Sequence, residues 1–136
     1  MTHPLSAELY WLTLTALLTG LIWIPYILNR MVEKGLWGTF QNPEPGEHAK
    51  AAWAFRTERA HVNAVENLVV FAPLAIAVSV SGVGNGTTAL AAAVFFWARL
   101  AHLVVYVLGI PLLRTLAFVV GFLCQLALAL RLLGIM

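Results

Sequence analysis

Apolar residues fill four long blocks of the chain, separated by short stretches in which charges, glycines and prolines collect. The first block, 9–28, carries no charge and matches the roughly 20 apolar residues that one bilayer crossing takes. Arg30 and Lys34 stop it, and Pro25 predicts a kink in its far end. A first helix is therefore expected over about 6–31, behind a short polar lead-in at 1–7. The stretch 34–49 is hydrophilic and punctuated by Gly35, Gly38, Pro43, Pro45 and Gly46, so it reads as a loop, with Trp37 and Phe40 suited to a membrane interface. A second helix is expected over about 48–81, loosened at Pro73, and 81–87 reads as an uncharged turn. A third helix is expected over about 88–109 and, after the break Gly109-Ile110-Pro111, a fourth over about 112–134.

Composition turns these blocks into membrane helices. Of 136 residues, 61% are hydrophobic and only 10% charged, where a soluble domain carries about a quarter charged residues. The expectation is an all-α integral membrane protein, one domain over 1–136, built as a four-transmembrane-helix bundle. The first block lacks a basic flank and a small-residue cleavage site, so it reads as a retained helix rather than a signal peptide. A net charge of +2 without a basic run gives no reason to expect a nucleic-acid partner. The lone Cys124 excludes an intrachain disulfide. The four histidines are scattered without metal-ligand spacing, so no metal is expected. Arg30, Lys34, Lys50, Arg56, Arg59 and Arg114 lie on one side of the expected topology, with Arg131 near the other. The positive-inside rule then places both termini outside the cytoplasm, in an inner membrane.

The polar residues inside the helices carry the functional signal. Arg56, Arg59, Asn63 and Glu66 recur at spacings of three and four and share one face of the second helix. His61 points elsewhere, which suits packing or a subunit contact. Arg99, His102 and Tyr106 line one face of the third helix. A charge near a helix midpoint costs about 2.5–3.5 kcal/mol on insertion scales, so Arg99 needs a partner, and Glu66 on the adjacent helix is the one expected. The pair could simply glue two helices. Together with Arg30 and Arg114, however, the set is rich in arginine and poor in acids, which suits an anionic ligand with carboxylates. For Arg30, Arg56 and Arg114, anchoring to lipid headgroups is the competing reading.

The segment Glu58-Arg59-Ala60-His61-Val62-Asn63-Ala64-Val65-Glu66-Asn67 resembles the MAPEG family, membrane-associated proteins of eicosanoid and glutathione metabolism. Arg99, His102 and Tyr106 are similar to its Arg-x-x-His-x-x-x-Tyr segment, Arg114-Thr115 to the start of its fourth helix, and Asn42-Pro43-Glu44 to its first-loop motif. The resemblance covers essentially the whole chain. It implies a homotrimer in membrane lipid, with glutathione as co-substrate bound between subunits and a lipophilic small molecule as second substrate. By that resemblance Arg59, Asn63 and Glu66 hold the carboxylates and amino group of glutathione, His102 and Tyr106 line the same site, and Arg114 stabilises the thiolate. Thr115 would be a hydroxyl donor and Arg30 the first-helix arginine. Two departures stand out: Val62 is apolar where prostaglandin-synthase-like members are basic, and Ala64 replaces an aspartate that many members carry.

The function expected is a glutathione-dependent membrane transferase or peroxidase acting on lipophilic electrophiles, with the glutathione thiolate as nucleophile. The alternative is a non-catalytic lipid-binding or scaffold member of the same fold. A small transporter using Glu66 and Arg99 along a permeation path is a third reading.

Overall fold

The computed structural model describes residues 4–136, so the lead-in expected at 1–7 lies partly outside the described residues. The chain folds into five helical segments: α1 (Ala7–Leu21), α2 (Trp23–Thr39), α3 (Ala52–Ser81), α4 (Gly86–Leu108) and α5 (Pro111–Leu132). α1 and α2 together make one crossing, so four spans are long and apolar enough to cross a membrane. The protein is a multi-pass, all-α integral membrane protein.

The break between α1 and α2 falls at Ile22, one turn before Pro25. Proline has no N–H, so the Leu21 carbonyl loses its usual partner four residues on. Pro73 does not interrupt α3 in the same way, and that helix runs through it.

The first crossing also continues past the end expected near 31. It bends at Gly35, whose φ of 73° and ψ of 170° leave the helical region, and then resumes to Thr39. Lys34 is paired with Glu47 across the following loop, and the regular helix breaks just after it, at Gly35. The Thr39 hydroxyl donates to the Gly35 carbonyl at 2.8 Å and holds the last turn. α3 begins at Ala52, later than the expected 48, and Ala51 offers no side-chain oxygen as a cap. Glu33 of α2 supplies one instead: its Oε1 accepts from the Lys50 and Ala51 N–H groups at 2.8 and 3.0 Å.

α3 and α4 form the centre of the bundle, and α1 and α5 each pack against both. The core is made by Phe71, Ala75 and Val78 of α3, Ala91, Ala92 and Phe95 of α4, and Cys124 and Leu128 of α5. Phe71 and Phe95 stack with centroids 3.9 Å apart. The small residues let helix backbones approach closely, which is how helices associate where lipid is as apolar as the core.

At the end of the bundle that holds the first turn of α1, Glu8 is buried. It accepts a 2.6 Å hydrogen bond from the Thr88 hydroxyl of α4. Thr88 also completes a capping box with Asn85. At the same end Arg131 donates through Nε to the Val83 carbonyl at 2.7 Å. The arginine expected near the other side of the membrane is therefore tied to the backbone of the α3–α4 turn.

Candidate functional site

The opposite end of the bundle, beside the α4–α5 turn, holds a cleft of about 270 Å³ lined by Asn63, His102, Tyr106, Arg114, Thr115 and Phe118. Helix register explains the convergence. His102 and Tyr106 are four apart on α4, and their rings meet edge to face at 5.6 Å. Gly109 takes up φ of 78° and closes α4: its N–H bonds the Tyr106 carbonyl, and the Ile110 N–H bonds the Val105 carbonyl, both at 3.0 Å. Pro111 then opens α5 at once and brings Arg114 back over Tyr106, with the guanidinium carbon 4.6 Å from the ring centroid. Phe118 follows one turn along α5 and gives the cleft an apolar wall.

Behind the cleft lies a polar network across three helices. Arg99, only 5% exposed, donates to Asn63 Oδ1 at 2.6 Å and lies 3.4 Å from His102 Nδ1. Asn67 Nδ2 donates to the Asn63 backbone carbonyl at 2.9 Å and to Asn63 Oδ1 at 3.2 Å. Gln125 of α5 donates to the Asn67 carbonyl at 3.1 Å.

The expected Arg99–Glu66 pair is not formed. Glu66 is exposed on α3, and the ion pair found among the described residues is Lys34 with Glu47. Glu66 sits roughly 60° round the helix from Asn63, and that rotation carries it off the face that meets α4. Arg59 is likewise exposed on the outer surface of α3.

Two further arginines lie outside the cleft. Arg56 donates through Nε to the Val107 carbonyl at 2.9 Å and packs beside Gly109, where a Cβ would meet its guanidinium carbon at 3.4 Å. The last carbonyls of a helix lack partners within it, and a cation there also meets the negative end of its dipole. Arg30 donates to the Gln41 carbonyl at 3.2 Å and lines a separate cleft of about 200 Å³ with Tyr26, Glu33 and Glu58.

His61 packs across to α2, with Nδ1 2.8 Å from the Tyr26 hydroxyl. Ala64 is buried, so it faces helix packing. The Thr115 hydroxyl donates to the Pro111 carbonyl at 3.1 Å, so it can serve as a donor in the cleft only by rotating away.

Sequence reading did not single out Phe118 or Asn67 for the site. Phe118 could be found from its place three and four residues after Thr115 and Arg114. Gln125 and Asn67 carry the signal of polar side chains in apolar helices. Among the described residues no group of histidine, cysteine or acidic side chains could hold a metal ion.

Fold and site together define a multi-pass helical membrane protein with a cation-bearing cleft at one end of the bundle. Residues 9–134 match the MAPEG family, and the chain belongs to that family. It is 36% identical over 106 residues to microsomal glutathione S-transferase 1 of Rattus norvegicus, covering 69% of this chain and 68% of that protein. The human (Homo sapiens) protein of the same name is 35% identical over the same coverage. No solved structure gives a significant match.

Proposed function

We propose that the protein is a glutathione-dependent membrane transferase or peroxidase acting on lipophilic electrophiles. The observation that carries this reading is the placing of Arg114 over the cleft formed by Asn63, His102 and Tyr106, in a chain similar to microsomal glutathione S-transferase 1. A thiol's ordinary pKa is about 8.5, and a neighbouring guanidinium favours the thiolate. Arg114 is the group suited to that task, with Tyr106 and, after rotation, Thr115 beside it. The thiolate sulfur attacks an electrophilic carbon, a new carbon–sulfur bond forms, and the leaving group departs with its electron pair. Phe118 offers the apolar electrophile a wall.

Asn63 and His102 would meet a carboxylate of the tripeptide. Arg59 and Glu66 serve a carboxylate and the amino group only if a second subunit covers them. Two exposed charges on a membrane helix favour such a cover: Glu66 lies within about 20 residues of the far end of α3, hence at hydrocarbon depth, where lipid contact is costly. The assembly proposed is a homotrimer. Arg99 stands behind the cleft, and Arg56 and Arg30 hold backbone carbonyls, so these three are withdrawn from direct ligand contact. The basic end of the bundle is placed in the cytoplasm with both termini outside, in an inner membrane.

The test is conjugation of glutathione to an aryl halide by purified protein in lipid. Absence of turnover together with absence of the thiolate ultraviolet band on adding glutathione would sink the enzyme reading. Crosslinking in lipid tests the assembly separately, with three copies expected and a monomer ruling it out.

A further inference from the structure

We propose that Arg99 is a positioning residue that sets the polarity of the cleft, forcing Asn63 and His102 to present hydrogen-bond donors to the ligand. The inference deepens the glutathione reading and rests on it for the ligand alone.

A guanidinium carries only donors, so every atom hydrogen-bonded to it must be an acceptor. The Asn63 side-chain atom 2.6 Å from Arg99 Nη2 is therefore its oxygen. The contact from Asn67 Nδ2 at 3.2 Å falls on the same oxygen and agrees. With its oxygen committed to the network, Asn63 turns its NH2 away from Arg99. That NH2 has no partner among the described residues, and Asn63 lines the cleft.

The same reasoning applies to His102. Its Nδ1 lies 3.4 Å from Arg99 Nη2, and a hydrogen bond there can run only from the guanidinium to Nδ1, which puts the ring proton of the neutral imidazole on Nε2. Nε2 has no partner among the described residues, and His102 also lines the cleft. Arg114, the third such group, is a donor by nature. Asn63, His102 and Arg114 thus offer N–H groups, although asparagine and histidine alone could each have offered a lone pair. A carboxylate matches this polarity, and an ammonium does not. It follows that the amino group of a glutathione-like ligand is held elsewhere, away from Asn63 and His102.

Arg99 itself lies behind this wall and is absent from the cleft lining. It acts on the ligand through two other side chains. This gives a second reason for placing a cation inside a membrane helix besides gluing α3 to α4: an obligate donor fixes two ambiguous side chains at once.

The test reads the tautomer and the affinity separately. Protein labelled with ¹⁵N-histidine is placed in lipid nanodiscs, with the His102 signal assigned by His102→Gln. The neutral Nε2–H form is expected in the wild type, and a mixture of tautomers in Arg99→Met, which has no donor. Glutathione binding is then measured by calorimetry. Asn63→Asp keeps an oxygen for Arg99 and replaces the outward NH2 with a second oxygen, so affinity should fall at least about 30-fold while the fold holds. Arg99→Lys keeps an obligate donor and should stay within about fivefold of wild type. A proton on His102 Nδ1 in the wild type overturns the proposal, and so does wild-type affinity in Asn63→Asp. Wild-type protein that shows the Nε2–H form but binds no glutathione sinks the glutathione reading and sustains the polarity. If Arg99→Met does not fold, the wild-type spectrum and Asn63→Asp still decide.

Discussion

Thr88 of α4 donates a 2.6 Å hydrogen bond to the carboxylate of Glu8, which is 5% exposed, and so ties the first turn of one membrane helix to the first turn of another. Replacing Thr88 with valine keeps the shape and removes the donor. A buried acceptor stripped of its partner costs about 1–3 kcal/mol, more when it is charged. Thr88→Val should therefore lower the thermal unfolding midpoint in detergent by several degrees. The double variant Glu8→Leu/Thr88→Val should recover the part of the loss due to Glu8, because that acceptor goes with its donor, while the Asn85 N–H, bonded to the Thr88 hydroxyl oxygen at 2.7 Å, stays without its cap.

Arg114→Ala should reduce aryl-halide conjugation about 100-fold near neutral pH, the usual scale for losing one group that stabilises reacting charge. The sign of the pH dependence follows from the thiol. Arg114 favours the thiolate, so without it the bound thiol regains a higher pKa and the rate rises at higher pH than in wild type. A pH–rate profile checks this. Equal rates in wild type and variant at neutral pH would remove Arg114 from the mechanism.

Gly121 of α5 faces the core where a Cβ would lie 3.6 Å from the Phe95 ring and 3.9 Å from Arg99 Cδ. These are ordinary contact distances, so Gly121→Ala should fit and gain helix propensity, up to about 1 kcal/mol. Gly121→Leu has no such room. It should lower the unfolding midpoint and weaken glutathione binding by displacing Arg99. Paired melting curves and binding isotherms for the two variants separate the effects.

Glu33 caps α3 from a different helix, through the amides of Lys50 and Ala51. Glu33→Ala should speed hydrogen exchange at those two amides and in the first turn of α3, leaving exchange near Phe71 unchanged. Glu33→Gln should fall between them, since an amide oxygen still accepts. Uniform exchange rates across all three proteins would show that the cap does not hold the helix end.

Much of the architecture is legible in the chain because a membrane span announces itself by length and apolarity alone. The four crossings lie close to the expected positions. The spacing of Arg99, His102 and Tyr106 places them on one side of α4, where His102 and Tyr106 do meet the cleft. Spacing within a helix says nothing of how two helices are turned toward one another. That is why Glu66, rather than Asn63, is the partner expected for Arg99. Charge is equally ambiguous: Lys34 reads as a stop signal, and the regular helix does break beside it at Gly35, yet a further turn follows to Thr39. Glu8 escapes notice because nothing in a lone acid near an N-terminus reveals the hydroxyl that comes from residue 88 to meet it.

The hold of Arg56 on the Val107 carbonyl has a consequence for how mutations in this protein will be read. The carbonyl it grips belongs to the residue after Tyr106, just ahead of the turn that delivers Arg114. Removing Arg56 takes away a support of the turn that positions both. Its loss will mimic that of an active-site residue in any assay of turnover, although its guanidinium lies outside the cleft. Arg30 and Arg131 also grip backbone carbonyls, so half of the protein's arginines are fasteners. A scan that ranks them by lost activity will confuse the fasteners with the tools, and unfolding curves taken alongside will tell them apart.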